Sequence, residues 1–555
     1  MMHRPTAVGG APCIWSRLMC TTKPGATVLA EHLQRMHALL EDASSWASKV
    51  RPSSVTAGGV DQATGLAVGM LDRVYANSAV DMADIDAIGF DYDHTMVEYK
   101  KQLNHRIYDL ALQWLIAKGG YPAAMRETSC KGFDPKHVIR GLAVDQQTGI
   151  LVKLSYASRV VKARRGHQWL SPAQITQIFG YDGQLPAAVR DARLHPLNDL
   201  YALATGSLLG DVIEHHERAY GAGRYQPTCL VTDVMAAVAD VHTSFAIHKE
   251  VLASLPSTEL VAPAGELRDV LLQLRAAGKR LFIVTNSPLW YIEPQMELFV
   301  GRDWRQLFDA IVVSARKPRW FDDGQLQESP LREVLADGTL GVGRVRQIQR
   351  GVAYAHGSAD ELIALTGWAT RRVLYLGDHL YADLAGARRG RHNWVTGAVI
   401  AEVRDEMLRA NTSEYRELVF RNHVLDATLQ LVQEAVAGRE ASAEELQLIH
   451  GLDEQRRRGL EKQNEVLNTD WGSVFHANDV RTTTFHAASL FGFALRRHAD
   501  LYMAKLENIA PYTVRRHRFA PPIFTMPHEV TPYVDPVVEH IAGSKLVGSP
   551  VRISS

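Results

Sequence analysis

Four short polar clusters hold the residues of this chain whose types and spacing could do chemistry. Asp91 and Asp93 stand two apart in Phe90-Asp91-Tyr92-Asp93-His94-Thr95. Thr285-Asn286-Ser287 forms the second cluster, and Lys317 closes the third in Ser314-Ala315-Arg316-Lys317-Pro318. The fourth is Gly377-Asp378-His379, with Asp383 five positions beyond Asp378. Carboxylates at alternate positions of an extended chain share one side. One can attack phosphorus while the other handles the proton on the leaving oxygen. Two acids so close repel each other and an anionic substrate, so a cation is required. Asp378 and Asp383 add hard oxygen donors of the kind magnesium prefers. Thr285 offers a hydroxyl, the amides that open the following helix offer anion-binding donors, and Lys317 supplies positive charge for phosphoryl oxygens. Singly, each cluster also reads as a turn, a helix N-cap or a solvated loop charge. The case for a phosphate ester rests on all four together.

The elements that must position these side chains are legible beside them. Ala87–Phe90, Leu281–Val284, Ala310–Val313 and Val373–Leu376 are short apolar runs, each ending at one cluster and followed by a helical stretch. Such runs read as buried strands, and their alternation with helices predicts an α/β fold with a parallel sheet. In open sheets of this kind ligands bind outside the carboxyl ends of the strands, so a single cleft would collect all four clusters.

With these residues in place, the chain resembles the phosphohydrolases of the haloacid dehalogenase superfamily. More narrowly it is similar to the cytosolic purine 5'-nucleotidase family and the related 5'-nucleotidase domain-containing proteins. The resemblance rests on FDYDHTM at 90–96, IVTNSPLWY at 283–291 and VLYLGDHLYADL at 373–384. RGLAVD at 140–145, GSVF at 472–475, RRHADLYMAKLENIAPY at 496–512 and MPHE at 526–529 reinforce it, so that it covers roughly residues 70–530. It implies a Rossmann-like core with a parallel sheet, a large inserted cap domain and a helical C-terminal extension. It also implies a Mg2+-dependent phosphohydrolase that cleaves a nucleoside monophosphate or another small phosphomonoester through an aspartyl-phosphate. In that scheme Asp91 is the nucleophile and Asp93 the acid and base. Magnesium is held by Asp91, Asp93 (through its backbone carbonyl) and Asp378. Thr285, Asn286 and Lys317 bind the phosphoryl group, and Asp383 supports the metal site. Alternatives on the same fold are a weakly active or regulatory protein, or a phosphotransferase to a nucleoside acceptor.

The 194 positions from Asp91 to Thr285 exceed what one crossover helix needs, and a cap is expected at 105–265. Within it, RGLAVDQQTGILVKL reads as strand, turn and strand. The segment 232–244 resembles the cap helix that lines the nucleoside pocket of the purine nucleotidase, but here it carries Met235, Ala239 and Thr243. An alanine cannot replace a carboxylate that hydrogen-bonds a base, so the purine preference is expected to be lost or altered. His94, between the second Asp and the Thr, is expected to pack. His379 is expected to be structural, since magnesium prefers oxygen.

The core is assigned to 70–104 and 266–402, with a short helix around 71–75 before its first strand. A helical region packed on the core is assigned to 403–530, and a tail to 531–555. Residues 1–69 are read as a disordered leader and linker. Its first 30 residues carry Arg4, Arg17 and Lys23 and no acid, the composition of a mitochondrial transit peptide; a cytoplasmic location is the alternative. In 403–470, Leu425, Leu429, Val432 and Val436 share one helix face, and Leu446, Ile449, Leu452 and Leu460 continue the spacing past Gly438. This predicts amphipathic helices on the core, with a homo-oligomer contact as the sharper reading.

Whole-chain composition is consistent with this assignment. The 555 residues carry 61 basic and 61 acidic side chains, a net charge of zero that argues against a nucleic-acid partner. Seven basic against two acidic residues in 481–520 concentrate positive charge in one face. Cys13, Cys20, Cys130 and Cys229 are too few and scattered for a disulfide framework or a structural zinc site. No apolar run reaches the length of a membrane span.

Overall fold

A computed structural model describes residues 34, 36, 38 and 71–519, apart from 181–182, 222–223, 263–264, 323–328, 369–371, 478–486 and 514–516. The first 30 residues, Cys13 and Cys20, MPHE at 526–529 and the tail at 531–555 lie outside the described residues.

Four apolar runs become adjacent strands of one nine-stranded sheet. Its order is Val74–Ala76, Leu501–Met503, Val395–Val399, Val373–Gly377, Ala87–Phe90, Arg280–Val284, Ala310–Val313, Ala353–Ala355, Arg332–Glu333. The two edge strands pair antiparallel and every inner pair is parallel. Parallel strands buried on both faces need continuous apolar sequence, which Ala-Ile-Gly-Phe, Leu-Phe-Ile-Val and Ala-Ile-Val-Val provide. Val74–Ala76 is an edge strand on Leu501–Met503, where the sequence suggested a helix over 71–75. Pairing along the open sheet edge has overridden the local preference there. Register is the feature that matters for the site. Phe90 pairs with both Leu376 and Ile283, and Val284 pairs with Val312, so Asp91, Asp378, Thr285 and Ser314 all emerge at one end of the sheet.

The chain between Phe90 and Arg280, neighbouring strands of that sheet, builds a second sheet of five antiparallel strands. Leu142–Asp145 and Leu151–Leu154 form the hairpin read from the sequence, with Gly149 at φ 70° in its turn. Helices Gln102–Ala117, Leu203–Tyr220 and Pro227–Thr243 pack together beside this sheet. Among the described residues no single helix is long and apolar enough to cross a membrane.

The C-terminal region contributes helices Glu402–Ala410, Ser413–Val436 and Ala443–Leu467. The last two form a hairpin around Phe420, Val424, Leu425, Leu429, Val432, Leu448 and Leu452, and Met36 is buried in the same cluster. Leu446, placed on the apolar face by spacing, is instead exposed. The i, i+4 pair Leu448 and Leu452 carries that face. The region is tied to the smaller sheet at GSVF. Lys153 donates to the carbonyls of Trp471 and Ser473 at 2.7 and 2.6 Å, and the Trp471 indole donates to the His137 carbonyl at 2.9 Å.

Candidate active site

Asp91 follows its strand directly, and its amide still bonds the Leu376 carbonyl at 2.8 Å, so the carboxylate leaves the sheet in a fixed direction. The adjacent strand Val373–Gly377 ends just before Asp378. Gly377 is required there: a Cβ at this position would lie 2.6 Å from the Cβ and Cγ of Asp383. Asp383 sits on the turn Leu380–Ala385, where its Oδ2 accepts from the His379 amide at 3.1 Å. His379 Nδ1 accepts from the amides of Tyr381 and Ala382, which makes it the cap of that turn.

Lys317 connects the acids. Its Nζ lies 2.6 Å from Asp91 Oδ1, 2.6 Å from Asp383 Oδ1 and 3.2 Å from the Tyr375 hydroxyl. The loop that presents it contains two non-glycine residues with positive φ, Ser314 at 47° and Arg316 at 67°. Such conformations cost free energy and persist only when neighbours impose them. Here the second cluster does so. The amides of Ser314 and Ala315 bond the carbonyls of Ser287 and Thr285 at 3.1 and 2.9 Å. Asn286 Oδ1 accepts from the Lys317 amide at 2.6 Å, and its Nδ2 donates to the Lys317 carbonyl at 3.2 Å. Asn286 therefore spends its side chain on the main chain of Lys317. Thr285 is fully buried, and its hydroxyl accepts from the Ser287 amide at 3.0 Å.

Asp93 is held separately, by hydroxyls. Tyr99 and Tyr201 donate to Oδ1 at 2.6 and 3.3 Å, and Ser287 donates to Oδ2 at 2.5 Å. Tyr99 and Tyr291 are also hydrogen-bonded to each other at 2.9 Å. His94, at φ 56°, packs edge-on between Tyr99 and Tyr201 with ring centroids 4.9 and 4.8 Å away. The packing expected for it is what the geometry provides.

Electrostatically the cluster is short of positive charge. Burial, with Asp383 adding and Lys317 opposing, pushes the Asp91 carboxyl up to about 6. Burial and then Asp91 raise Asp93, against the hydrogen bonds from Ser287 and Tyr99. Asp378 is raised well above the usual carboxylate range by burial, which Arg140 opposes. Burial also works against the Lys317 ammonium, but Asp383 and Asp91 outweigh it and hold its pKa well above normal. One oxygen from each of Asp91, Asp378 and Asp383 lies within 4.8 Å of the others, all buried, and this hard oxygen set could hold a metal ion.

The four clusters thus meet at one end of the sheet. Arg140, Ser287, Tyr99, Tyr201 and Glu402 join them without having been given a role from sequence. Ser287 had a signal, since it lies two positions beyond Thr285. Arg140 opens the RGLAVD motif, but nothing there points to the acids, and Glu402 had no signal, because their pairing with the site is entirely tertiary. The Arg140 side chain is fully buried, 3.2 Å from Asp378 Oδ2, and it grips Glu402 with two nitrogens at 2.8 and 2.7 Å.

The parallel inner strands of the sheet thus gather buried acids and a lysine at their carboxyl end. Residues 74–531 match the family model described as "5' nucleotidase family", and the chain belongs to that family. It is 30% identical over 471 residues to 5'-nucleotidase domain-containing protein 2 of Rattus norvegicus, covering 83% of this chain and 81% of the relative. The protein of the same name from Homo sapiens is 30% identical over 473 residues, covering 83% and 86%. A 5'-nucleotidase domain-containing protein of Dictyostelium discoideum is 31% identical over 470 residues, covering 82% and 74%.

Proposed function

We propose that the chain is a magnesium-dependent phosphohydrolase of the 5'-nucleotidase type on a haloacid dehalogenase core, with residues 105–265 as its cap. One observation carries the reading: Lys317 bridges Asp91 and Asp383 inside a buried carboxylate triad, with Asp93 held alongside by three hydroxyls. A scaffold gains nothing from burying three acids together, which is costly without a cation. The bound cation would sit on Asp91, Asp378 and the Asp93 carbonyl and supply charge neutralisation for the phosphoryl oxygens.

This chain's own residues supply the remaining steps. An Asp91 oxygen attacks phosphorus as the bond to the leaving oxygen breaks, and Asp93 gives that oxygen its proton. Burial and the neighbouring Asp91 favour the protonated Asp93 needed for this step. Asp93, now a carboxylate, takes a proton from water, which attacks the aspartyl-phosphate. Phosphate leaves and Asp91 recovers its electron pair. Lys317 and Thr285 bind the transferred group, and Asn286 acts through Lys317 by fixing its main chain.

Substrate choice falls to the helix Pro227–Thr243. Its His242 ring lies 5.2 Å from Tyr201, which in turn bonds Asp93, so this face of the helix overlooks the leaving group. Met235 and Ala239 precede His242 on that face at helical spacing. The two acids of the helix are committed elsewhere: Asp233 accepts from the Tyr121 hydroxyl at 2.8 Å, and Asp240 pairs with Lys118 at 3.6 Å. No carboxylate of this helix is left to read a base, so a small phosphomonoester other than a purine nucleotide fits at least as well. The same observation is what favours the second reading, a weakly active or regulatory protein.

The test is a magnesium-dependent phosphatase screen across nucleotides and sugar phosphates, with Asp91→Asn as the control. Turnover that the control lacks supports hydrolysis. Equal signals from both proteins on every substrate refute it.

A further inference from the structure

Arg140 is an expensive residue to bury, and its surroundings show what it is held for. It stands two positions before the strand Leu142–Asp145 of the smaller sheet, and Gly141 behind it adopts φ 87°. A Cβ on Gly141 would lie 2.5 Å from the Phe491 Cβ, so glycine lets the backbone sit against that ring. The Arg140 guanidinium lies over the same ring at 5.3 Å. On its far side Glu402, the first residue of the helix Glu402–Ala410, takes it in a two-point pair, where a carboxylate also suits the helix N-terminus. The remaining nitrogen, Nη1, meets Asp378 twice, at Oδ2 (3.2 Å) and at the main-chain carbonyl (3.3 Å). Glu402 shares the charge of Arg140, so the guanidinium offsets the Asp378 carboxylate only in part. What Arg140 adds at Asp378 beyond that is direction.

We propose that Arg140 is a positioning residue that sets the cation preference of the acidic triad. By holding one oxygen and the carbonyl of Asp378, it presents that carboxylate end-on and favours magnesium over calcium. This rests on the metal-dependent reading of the site. Magnesium demands near-octahedral geometry at short distances and takes carboxylates through single oxygens, whereas calcium accepts six to eight oxygens and two-oxygen grips. An Asp378 released from Arg140 can turn both oxygens inward, which helps calcium and does nothing for magnesium. Residues that orient metal ligands are typically worth about 10–100-fold in metal affinity.

The measurement is calorimetric titration of the full chain, without substrate, with magnesium chloride and separately with calcium chloride. Wild type, Arg140→Met and Glu402→Gln are compared. The ratio of magnesium to calcium affinity should fall about tenfold in Arg140→Met. In Glu402→Gln, where the guanidinium loses its far anchor, it should fall less but in the same direction. A ratio within twofold of wild type in folded Arg140→Met overturns the proposal. Should that variant fail to fold, the same criterion applied to Glu402→Gln decides. A wild-type chain that takes up neither cation brings down the metal-dependent reading itself, a result distinct from an unchanged ratio.

Discussion

Replacing Lys317 by methionine keeps the length of the side chain and removes its charge, and the structure gives the consequence a magnitude. The ammonium lies 2.6 Å from an oxygen of each of Asp91 and Asp383, and its side chain is 2% exposed. Losing one partner of a buried ion pair costs about 3–5 kcal/mol, because the stranded charge has no solvent to turn to. At about 2 °C per kcal/mol, the lower end of the usual conversion and suited to a long chain, Tm in chelator should fall by roughly 6–10 °C. Magnesium should then restore more than it adds to wild type. In wild type the cation would join an ammonium already present, and in the variant only Arg140, on Asp378, would share the neutralisation with it. Linkage converts that tighter binding into a larger Tm rise at the same metal concentration. On the proposed function catalysis should not recover, since Lys317 would stabilise charge on the transferred phosphoryl group; a loss of about 100–1,000-fold is expected. Differential scanning calorimetry of both proteins, with chelator and with magnesium, reads the stability arm, and a phosphatase assay reads the other. An unchanged Tm in chelator, together with equal magnesium shifts, would refute the idea that Lys317 neutralises this cluster.

Two further outcomes follow from the same geometry. Gly377→Ala places a methyl 2.6–2.7 Å from the Asp383 side chain and should displace it from Lys317 and the His379 amide. Activity should drop at least about tenfold while circular dichroism stays native, and unchanged kinetics would mean that Asp383 need not be held there. His137 tests pH dependence away from the site. Burial, reinforced by Arg164 and His167, lowers its pKa to about 3. A base held neutral in the folded state contributes stability that is fully present above its unfolded pKa near 6.5 and is lost as pH falls toward 3. Between pH 7 and pH 5 the loss is about 2 kcal/mol. Denaturant titrations should show that loss shrinking by the same amount in His137→Leu; an identical pH dependence in both proteins would rule the histidine out as its source.

The sequence made the central strands and their chemistry visible for a single reason. Parallel strands must be apolar from end to end, so the first polar residue after each run marks both the strand end and the cleft. Asp91, Thr285 and Asp378 were placed by that rule. Lys317 lies four residues past its strand, and the loop's shape, with positive φ at Ser314 and Arg316, has no local sequence cause. It is imposed by Asn286 and by the amide bonds to Ser287 and Thr285. Tyr99 and Tyr201 stood unremarked because a tyrosine near a strand reads as core until its hydroxyl finds a partner. Arg140 and Glu402 are 262 positions apart, and nothing about either residue alone points to the other. Leu446 shows the limit of periodicity: spacing defines a face but not how far along the helix that face stays covered.

The division of labour in the site follows from what holds each part. Asp91, Asp378 and Thr285 are set by strand register, and moving one of them would slip a whole parallel strand, flipping every buried side chain along it. The helix Pro227–Thr243 is under no such restraint, since it packs through Val231, Val234, Ala237, Val238 and Val241 and leaves Ala239 exposed. Residues on that exposed side can change without disturbing either its packing or the sheet. On the proposed function, chemistry would be fixed by the part of the fold that tolerates change least, and leaving-group recognition would sit on the part that tolerates it most. Restoring a carboxylate with Ala239→Glu should alter which substrate is preferred while leaving the Asp91–Lys317–Asp383 bridge untouched.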